Sequence, residues 1–408
     1  MIRQKVKIVV SMMYACVHLL CRIFGRTMEE REMRKGLSCF AAMALCVALG
    51  TPVQAADTIK IGVQGAHSGD LASYGVPSLN AVKIVIDQTN ARGGILGRKV
   101  EVIAQDDQCK PEMATNAATK LISDQSGVVV GPICTGPTTA SLPIFNEAKI
   151  IVVSPTATAP SLTESGKHPL FFRTVAHDNA QAQLTSDFML KKLKVKKVAY
   201  LHDNGEYGKG FTDNNRTMLE KAGVETVLFE AVSPDAVDFS AVVRKIRRLK
   251  PDIVVFGGYQ PVASKLVQQM RRDRVKTPFI GPDGVKDETF LKMTGKDSEG
   301  VYASYPKDTS ALPLYKEARE AHIKVYGSEP GFGYYNAYAA AQCLLAAIEK
   351  TGGIDTVKLQ DALRSTMVDT PLGKISFNAK GDASGMALSI YQVQNGKFVE
   401  LDHSLTLQ

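Results

Sequence analysis

The alternation of β and α patterns is the feature that most constrains how this chain folds. Short runs rich in β-branched residues recur at 58–64, 98–105, 127–131, 149–154, 196–203, 225–232, 252–259 and 277–283. Helical patterns fill the segments between them, as in the stretch from Ser78 to the glycine stop at Gly94. Parallel strands need such crossover helices, and strands covered on both faces are continuously apolar. The sequence therefore predicts an α/β fold of doubly wound parallel sheets.

The number of elements indicates two lobes and a hinge. About 350 residues follow the N-terminal leader described below, which exceeds what one hydrophobic core usually covers. The first set of elements ends near FFRTVAHDN and the second near GVYASYP. Two long helical patterns and a predicted strand pair, 373–379 with 387–401, are left over. Leftover elements indicate that the chain crosses between the lobes more than once, and several crossings form a hinge.

The N-terminal segment has the pattern of an export leader. From Met33, a basic segment precedes an apolar stretch that ends in Val-Gln-Ala, the small-x-small type that signal peptidase cuts. We expect the mature chain to begin near Ala56 and residues 1–55 to be an upstream extension plus a cleaved signal peptide. A membrane anchor is the alternative, because another apolar run begins at Ile8. That run is only as long as the shortest membrane spans and includes a histidine and an arginine.

The charge balance gives no signature of nucleic-acid binding. The chain has a formal net charge of +8, but residues 1–55 carry eight basic and three acidic residues, so the mature part has a net charge of +3. Its basic clusters, such as RKIRRLK from Arg244, fall on predicted helices. Solvated helix faces explain these clusters most simply, and a docking surface for a membrane partner is the alternative.

Three cysteines remain after the leader, and two of them suggest a disulfide. Cys109 and Cys134 each follow a predicted strand, whereas Cys343 lies in the apolar helical pattern AAAQCLLAA. Neighbouring parallel strands bring such strand ends together, and export permits disulfide formation. We therefore predict a bond between Cys109 and Cys134 and a buried free thiol at Cys343.

The stretch SPTATAP, residues 154–160, is a candidate ligand-binding loop. It follows the apolar run AKIIVV, which has the character of a central parallel strand. Open α/β sheets bind their ligands just beyond the carboxyl ends of such strands. The side chains here are too short for acid-base chemistry, but Thr156 and Thr158 offer hydroxyls beside backbone amides and carbonyls. This loop is suited to holding a small ligand.

Eight motifs in order give the chain a resemblance to a known family. They are IKIGVQGAHSGDLASYG, NARGGILGRKVEVIAQDD, GPICTGPTTAS, SPTATAP, LHDNGEYGKG, FGGYQP, FIGPDGV and the export leader. From Asp57 to about Gly385 the chain resembles the leucine/isoleucine/valine-binding proteins of ATP-driven amino-acid importers, which are type I periplasmic binding proteins. The resemblance implies two lobes joined by three crossovers, with the ligand enclosed between them by hinge closure.

The resemblance also implies which residues hold an amino acid. Its carboxylate would be bound by hydroxyls and amides at Thr135 and Thr158, and its ammonium by the Thr156 carbonyl and the Asp283 carboxylate. A buried zwitterion is tolerated only when both ends are hydrogen-bonded. At each position the simpler alternative is structural: strand-end capping for Thr135 and Thr158, and a Pro-Asp-Gly turn for Asp283.

Three tyrosines at ligand-facing positions of the family predict the side-chain pocket. Tyr74, Tyr207 and Tyr259 offer apolar faces with hydroxyl tips, and ordinary loop packing is the alternative for each. Leucine, isoleucine and valine are therefore the leading ligands. No lysine or arginine in the matched loops points to an acidic ligand side chain.

The chain departs from the family at two of these positions. Asp283 stands where the family commonly has glutamate, so the carboxylate is one methylene shorter. An ungapped overlay of GFGYYNAY puts Gly333 where a family member has a phenylalanine against the ligand. Tyr334 or Tyr335 would replace that ring, or the pocket is roomier and phenylalanine is a further candidate ligand.

Enzymes and sensors are the rival classes. The chain lacks the G-x-S-x-G, P-loop and H-E-x-x-H motifs, and GEYGKG does not fit the dinucleotide glycine pattern. His67 and His202 are the remaining candidates for a metal or base role, but they lie far apart in sequence. We predict no catalytic residue, cofactor or metal. The same fold serves receptors and amide sensors, so a binding protein or sensor for an amide or aromatic acid is the alternative function.

These observations define the expected protein. We predict a soluble, monomeric periplasmic protein that captures a branched-chain or related apolar amino acid and delivers it to the permease of an ABC importer. Its N-terminal lobe is expected to comprise residues 56–176 and 307–370, and its C-terminal lobe residues 177–306 and 371–408.

Overall fold

The computed structural model describes residues 58–406. The predicted leader and cleavage site therefore lie outside the described residues. Within the described range, no helix has both the length and the apolar character needed to cross a membrane.

The first sheet consists of five parallel strands. They are β1 (Ile59–Gly65), β2 (Val100–Asp106), β3 (Val128–Val130), β4 (Ile151–Ser154) and β5 (Phe171–Arg173). Their order across the sheet is β2-β1-β3-β4-β5, so the direction of winding reverses beside β1. Four of these strands lie on predicted runs, and β5 marks the end of the first predicted set.

The apolar runs of the first sheet are buried on both faces. Val128 and Val130 belong to one hydrophobic cluster and Val129 to another, because successive side chains of a strand point to opposite faces. Helices α1 (Ala72–Ala91), α2 (Pro111–Ser123) and α3 (Thr135–Glu147) connect the first four strands. Residues of α1 share the cluster of Val128, whereas residues of α2 and α3 share that of Val129. This is the predicted doubly wound arrangement.

The second sheet repeats this winding and adds two antiparallel strands. Its strands are β6 (Lys197–His202), β7 (Glu225–Ala231), β8 (Ile253–Gly257), β9 (Phe279–Gly281), β10 (Tyr302–Pro306), β14 (Ala387–Gln394) and β15 (Lys397–Thr406). Their order is β15-β14-β10-β9-β8-β6-β7. The first five repeat the order of the first sheet, and β14 joins β10 antiparallel. All eight strands predicted from the alternating pattern are therefore confirmed.

The helices of the second sheet also cover both faces. They are α5 (Asp178–Phe188), α6 (Glu206–Lys221), α7 (Ser240–Leu249), α8 (Gln260–Arg272) and α9 (Glu288–Thr294). Tyr200 packs in one cluster with residues of α5 and α6, whereas Leu201 packs in another with residues of α7 to α9. The short helix α4 (Ser161–Glu164) belongs to the first lobe.

The chain passes between the two sheets three times. It crosses after β5 into α5, and it returns after β10 into α10 (Pro313–Tyr326), α11 (Tyr334–Thr351) and α12 (Thr356–Ser365), which pack with the first lobe. A small sheet of β11 (Val368–Thr370), β12 (Gly373–Phe377) and β13 (Ala383–Ser384) follows, before the third crossing into β14. The three crossovers implied by the resemblance are thus present.

The segment from 371 to 386 differs from the sequence-based expectation. The predicted pairing of 373–379 with 387–401 is wrong, because β12 pairs with β11 and β13. Ile375 and Phe377 pack in the cluster of the first sheet, and so does Met386. The transition to the second lobe therefore follows Met386, later in the chain than the division expected at 370/371. The apolar pattern of a single strand, such as β12, does not specify which sheet the strand joins.

The predicted disulfide is confirmed. Cys109 and Cys134 are bonded, with their Cα atoms 5.7 Å apart, and Cys343 is a buried free thiol. The bond links the loop after β2 to the start of α3. It closes 25 positions of chain, which corresponds to roughly 3–4 kcal/mol in the chain-entropy account. The disulfide fixes the loop that leads into Thr135.

Candidate functional site

The candidate site lies where the carboxyl ends of the two sheets face each other. In each sheet the winding reverses beside the first strand, and the loops beyond such a reversal form a crevice. Thr135 follows β3 and Thr156 follows β4 in the first lobe, whereas Tyr207 and Tyr259 follow β6 and β8 in the second. Residues far apart in sequence are therefore brought to one interlobe cleft.

A small cavity marks the centre of this cleft. Its lining residues are Tyr74, Ile133, Cys134, Thr156, Tyr207, Tyr259, Asp283, Gly284 and Phe332. Five of the eight predicted ligand-binding residues are among them. The cavity holds about 10 Å³, roughly the space of one water-sized sphere, whereas small-molecule pockets usually hold about 300–1,000 Å³. The lobes must move apart before an amino acid can enter.

Aromatic rings form most of the apolar wall. The ring of Tyr74 lies edge-on to Tyr259 at 5.6 Å between centroids and to Phe332 at 4.7 Å. Tyr207 and Tyr259 are 5.1 Å apart. These spacings are typical of favourable aromatic pairs, which contribute about 0.5–1.5 kcal/mol each beyond their buried area. The three predicted tyrosines therefore pack as one wall.

Tyr74 also bonds the two lobes together. It lies on α1 of the first lobe, and its hydroxyl donates to the Gly284 carbonyl of the second lobe at 2.6 Å. The same hydroxyl accepts from the Gln260 amide at 3.1 Å. Both bonds are buried, so Tyr74 connects the two lobes directly in the closed form.

Asp283 presents a buried carboxylate to the cavity. The hydroxyl of Tyr207 and the amide of Gly284 both donate to its Oδ1 atom. Its own amide donates to Gln181 Oε1 at 3.2 Å. Burial raises the pKa of Asp283, although these hydrogen bonds act in the opposite direction. A cation beside the carboxylate would offset the cost of burying its charge.

A second acidic side chain, Asp178, lies behind the cleft and was missed by sequence reasoning. Its carboxylate accepts from Gln181 Nε2 at 3.4 Å, so Gln181 connects it to the Asp283 backbone. Burial, followed by the charge of Asp283, raises the pKa of Asp178 to about 8. The available signal was an acidic residue at the start of a helix, five positions after the last residue of the strand FFR.

The two threonines predicted to bind a carboxylate have unsatisfied hydroxyls. Thr135 and Thr158 are buried, and neither Oγ1 atom has a hydrogen-bond partner among residues 58–406. The Thr158 hydroxyl lies near enough to Asp178 to lower the pKa of that carboxyl, but without the geometry of a hydrogen bond. A buried unsatisfied polar group costs about 1–3 kcal/mol. These two hydroxyls therefore retain hydrogen-bonding capacity that no residue in the described range satisfies.

Thr156 has a different role from Thr158. Its hydroxyl donates to the Ile133 carbonyl at 2.6 Å, which ties the loop after β4 to the loop after β3. Its side chain lines the cavity, whereas Thr135 and Thr158 are not among the lining residues. The structure thus brings the three threonines to adjoining loops but presents only Thr156 directly to the cavity.

Gly333 does not provide the extra room that the ungapped overlay suggested. A Cβ atom at Gly333 would lie 2.9 Å from Thr156 Cγ2, and the residue has a φ of +70°, which favours glycine. Phe332, one residue earlier, supplies a phenyl ring to the cavity wall. The left-handed turn at Gly333, directly before α11, leaves the Phe332 side chain on the cavity wall.

The candidate histidines lie outside this cavity. His67 is positioned near Asp106, and His202 accepts from the Asn204 amide through Nδ1 at 3.1 Å. Neither residue lines the cavity.

A separate group of Glu164, His177 and Asp382 has potential metal-ligand atoms within 4.8 Å of one another. Asp382 and Glu164 already form ion pairs with Arg173 and Lys380. His177 Nδ1 accepts from the Ala180 amide at 3.3 Å, so each member of the group is engaged.

A closed cleft between two α/β lobes, lined by rings and one carboxylate, defines a small-molecule-binding protein that works by hinge closure. The chain belongs to the periplasmic binding protein family, whose profile matches residues 58–397. The resemblance found in the sequence motifs is thereby confirmed.

Several curated proteins are similar over most of their length. The leucine-, isoleucine-, valine-, threonine- and alanine-binding protein of Pseudomonas aeruginosa is 33% identical over 354 residues, which cover 86% of this chain and 94% of that protein. The Leu/Ile/Val-binding protein of Escherichia coli is 31% identical, with 86% of this chain and 95% of that protein covered.

A solved structure has the same two-lobed fold. The substrate-binding protein LivJ of Streptococcus pneumoniae, in complex with isoleucine, superimposes with a TM-score of 0.76 at 25% identity and covers 85% of this chain and 100% of its own. The predicted fold, a type I periplasmic binding protein, is confirmed.

Proposed function

We propose that this protein captures a branched-chain or related apolar amino acid between its lobes and delivers it to the permease of an ABC importer. The observation that carries the proposal is the arrangement of the cleft. A buried carboxylate, Asp283, lines the cleft beside an aromatic wall, and the buried hydroxyls of Thr135 and Thr158, unsatisfied among residues 58–406, lie on the adjoining loops. These groups complement a zwitterion with an apolar side chain. The similar proteins are named for binding leucine, isoleucine and valine, which supports the same ligand class.

Each end of the ligand has a proposed partner. The α-carboxylate would accept from the hydroxyls and backbone amides of Thr135 and Thr158, and the α-ammonium would donate to Asp283 and to the Thr156 carbonyl. Tyr74, Tyr207 and Tyr259 would pack on the side chain, together with Phe332. Gly333 would act by permitting the turn that positions Phe332.

Ligand binding would stabilise the closed arrangement of the two lobes. Contacts made by both lobes exist only in the closed form, so binding shifts the population of molecules towards closure. We expect the permease to recognise the closed shape. We also expect an exported, monomeric protein, with cleavage near Ala56.

Calorimetry with leucine and two truncated analogues tests the proposal. Leucine, isoleucine and valine are expected to bind, whereas 4-methylpentanoate and 3-methylbutylamine, each lacking one charged end of leucine, should bind at least about 100-fold more weakly. Each analogue leaves buried polar groups unpaired, which costs more than a lost methylene does. Glutamate and lysine serve as size-matched charged controls and should not bind. Equal binding of leucine and 4-methylpentanoate would contradict the zwitterion site and favour an acid-binding protein.

Phenylalanine should bind at least about tenfold more weakly than leucine, a difference of about 1.4 kcal/mol. The ring of Phe332 lines the cleft, so a second phenyl group would overpack it. The same titrations measure this difference.

Amino-acid binding is expected to release protons and to tighten with rising pH. In the closed cleft burial raises the pKa of Asp178 to about 8, so Asp178 holds a proton near neutral pH, and burial also raises the pKa of Asp283. A bound ammonium favours the ionised carboxylate and returns its pKa towards the ordinary value near 4. Between about 4 and about 8 the complex therefore holds fewer protons, and affinity should increase by up to about tenfold per pH unit.

Calorimetry in two buffers with different ionisation enthalpies measures the released protons. The Asp178→Asn variant should release fewer protons than the natural protein. An affinity independent of pH from 5 to about 8 would be incompatible with this linkage.

A further inference from the structure

A second, larger cavity lies beside the proposed amino-acid cleft. It has a volume of about 940 Å³, within the range of small-molecule sites. Its walls come from both lobes: Lys286 and Tyr391 belong to the second, and Tyr335 and Leu372 to the first. Phe332 lines both cavities and separates this space from the aromatic wall of the cleft.

Lys286 lies in an aromatic box on the wall of this cavity. Its Nζ atom is 4.1 Å from the ring centroid of Tyr305, 4.6 Å from that of Tyr391 and 5.7 Å from that of Phe398. Cation–π contacts of this kind position an ammonium and partly replace its hydration. Burial lowers the pKa of Lys286 to about 8, so the ammonium gives up more hydration than the rings replace.

Lys286 has no carboxylate partner. Among residues 58–406, no carboxylate oxygen lies within 4.0 Å of its Nζ atom. The more distant charges of Glu288, Asp308, Asp287 and Glu400 only offset part of the effect of burial on its pKa.

Most of these distant carboxylates are engaged elsewhere. Asp287 accepts from the Thr289 amide at 2.7 Å, and Asp308 accepts from the Ser310 amide at 2.8 Å. Glu400 accepts from the Ser389 hydroxyl at 2.6 Å. The cavity wall thus contains an ammonium group that has lost part of its hydration, has no close carboxylate partner, and lies beside aromatic rings.

We propose that Lys286 and its aromatic box form a second binding site that takes a small organic monocarboxylate. The carboxylate accepts from the Lys286 ammonium, and the apolar body of the ligand packs on the rings of Tyr305 and Tyr391. Charge-assisted hydrogen bonds of this type are roughly twice as strong as neutral ones. Because both lobes contribute walls, the occupant also contacts both halves of the closed protein.

The site differs in chemistry from the amino-acid cleft. That cleft presents a carboxylate, Asp283, and so disfavours a ligand whose only charge is negative. The second site presents a cation and no close carboxylate. Its occupant therefore needs no ammonium group and does not compete with leucine for Asp283.

Titration with phenylacetate and phenylacetamide tests the proposal on the natural protein. The two probes have the same shape, but only phenylacetate carries a charge. We expect phenylacetate to bind with a dissociation constant below about 1 mM and phenylacetamide at least about tenfold more weakly, a difference of about 1.4 kcal/mol. The titration is run with and without leucine, so that binding in the first cleft is separated from binding at Lys286.

Matched variants assign the binding to Lys286. Lys286→Met keeps the length of the side chain without its charge and should weaken phenylacetate binding at least about tenfold. Lys286→Arg keeps a cation in the box and should retain binding. Lys192→Met removes an equal charge from an exposed position outside this cavity and should leave binding unchanged.

Three results would each overturn the second site. They are equal affinity for the acid and the amide, phenylacetate binding that survives Lys286→Met, and no phenylacetate binding at millimolar concentration. Unchanged melting temperatures of the variants would show that the fold is intact. Because the comparison of acid and amide uses the natural protein, it decides the question even if a variant misfolds.

Discussion

Replacing Asp283 with alanine is expected to weaken leucine binding by about 2–5 kcal/mol while leaving the protein folded. The carboxylate lines the cleft, and its Oδ1 atom is oriented by the Tyr207 hydroxyl and the Gly284 amide. In the proposed binding mode, removing it leaves the ligand ammonium without its counter-charge in a closed site. An unpaired buried charge costs far more free energy than the disruption of an exposed ion pair does.

Calorimetry on three variants separates charge from shape at this position. Asp283→Ala and the nearly isosteric Asp283→Asn should lose similar binding energy, because both remove the charge. Asp402→Ala is the control, since Asp402 is an exposed aspartate on β15. Near-normal leucine affinity in Asp283→Asn would mean that the residue only shapes a Pro-Asp-Gly turn.

The largest stability effect is expected at Asp382, whose replacement by alanine should destabilise the protein by about 3–5 kcal/mol. Its partner Arg173 is fully buried, and Arg173 Nε lies 2.6 Å from Asp382 Oδ1. The same guanidinium donates to the Ala159 carbonyl at 2.8 Å and to the Ala157 carbonyl at 3.3 Å. Arg173 therefore also holds the loop that contains Thr158, and losing Asp382 leaves its charge uncompensated beneath that loop.

Urea denaturation measures this effect against a nearby exposed pair. Lys380→Ala breaks the ion pair of Lys380 with Glu164, in which both side chains are largely exposed, and should cost less than about 1 kcal/mol. The double variant Arg173→Met with Asp382→Leu should be less destabilised than Asp382→Ala alone, because it leaves no buried charge unpaired. Equal midpoints for Asp382→Ala and Lys380→Ala would show that the buried pair has no special role.

Local pattern was sufficient to predict most of the lobes. The runs around Val129 and Val255 are continuously apolar because helices cover both faces of each sheet. A continuous apolar run in the sequence therefore predicts a strand that is buried on both faces. The positions of Cys109 and Cys134 at neighbouring strand ends likewise predicted their bond. Both inferences depend only on features close together in the chain or on the regular geometry of parallel sheets.

The composition of the site was harder to predict, because it depends on contacts between elements that are far apart in the chain. Phe332 rather than Gly333 supplies the ring, since a left-handed turn sets which side chain faces the cleft. Asp178 is buried behind Asp283 only because α5 packs against the loop after β9. The pattern of apolar and polar residues within α5 does not indicate that this helix packs against the loop after β9. Lys286 was missed for the same reason, since its three rings come from β10, β14 and β15.

The hydrogen bonds of Tyr74 have a consequence for the energy efficiency of import. They join the lobes directly, and each neutral hydrogen bond contributes about 0.5–1.5 kcal/mol. Because both partners of each bond are protein groups, these bonds favour the closed form whether or not an amino acid is bound. A stronger tyrosine contact lowers the closing cost left to the amino acid and so improves scavenging of dilute nutrient. It also raises the number of empty docking events, and with them the ATP hydrolysed without cargo. The Tyr74 hydroxyl thus affects both the uptake of amino acid from dilute medium and the amount of ATP that is hydrolysed without transport.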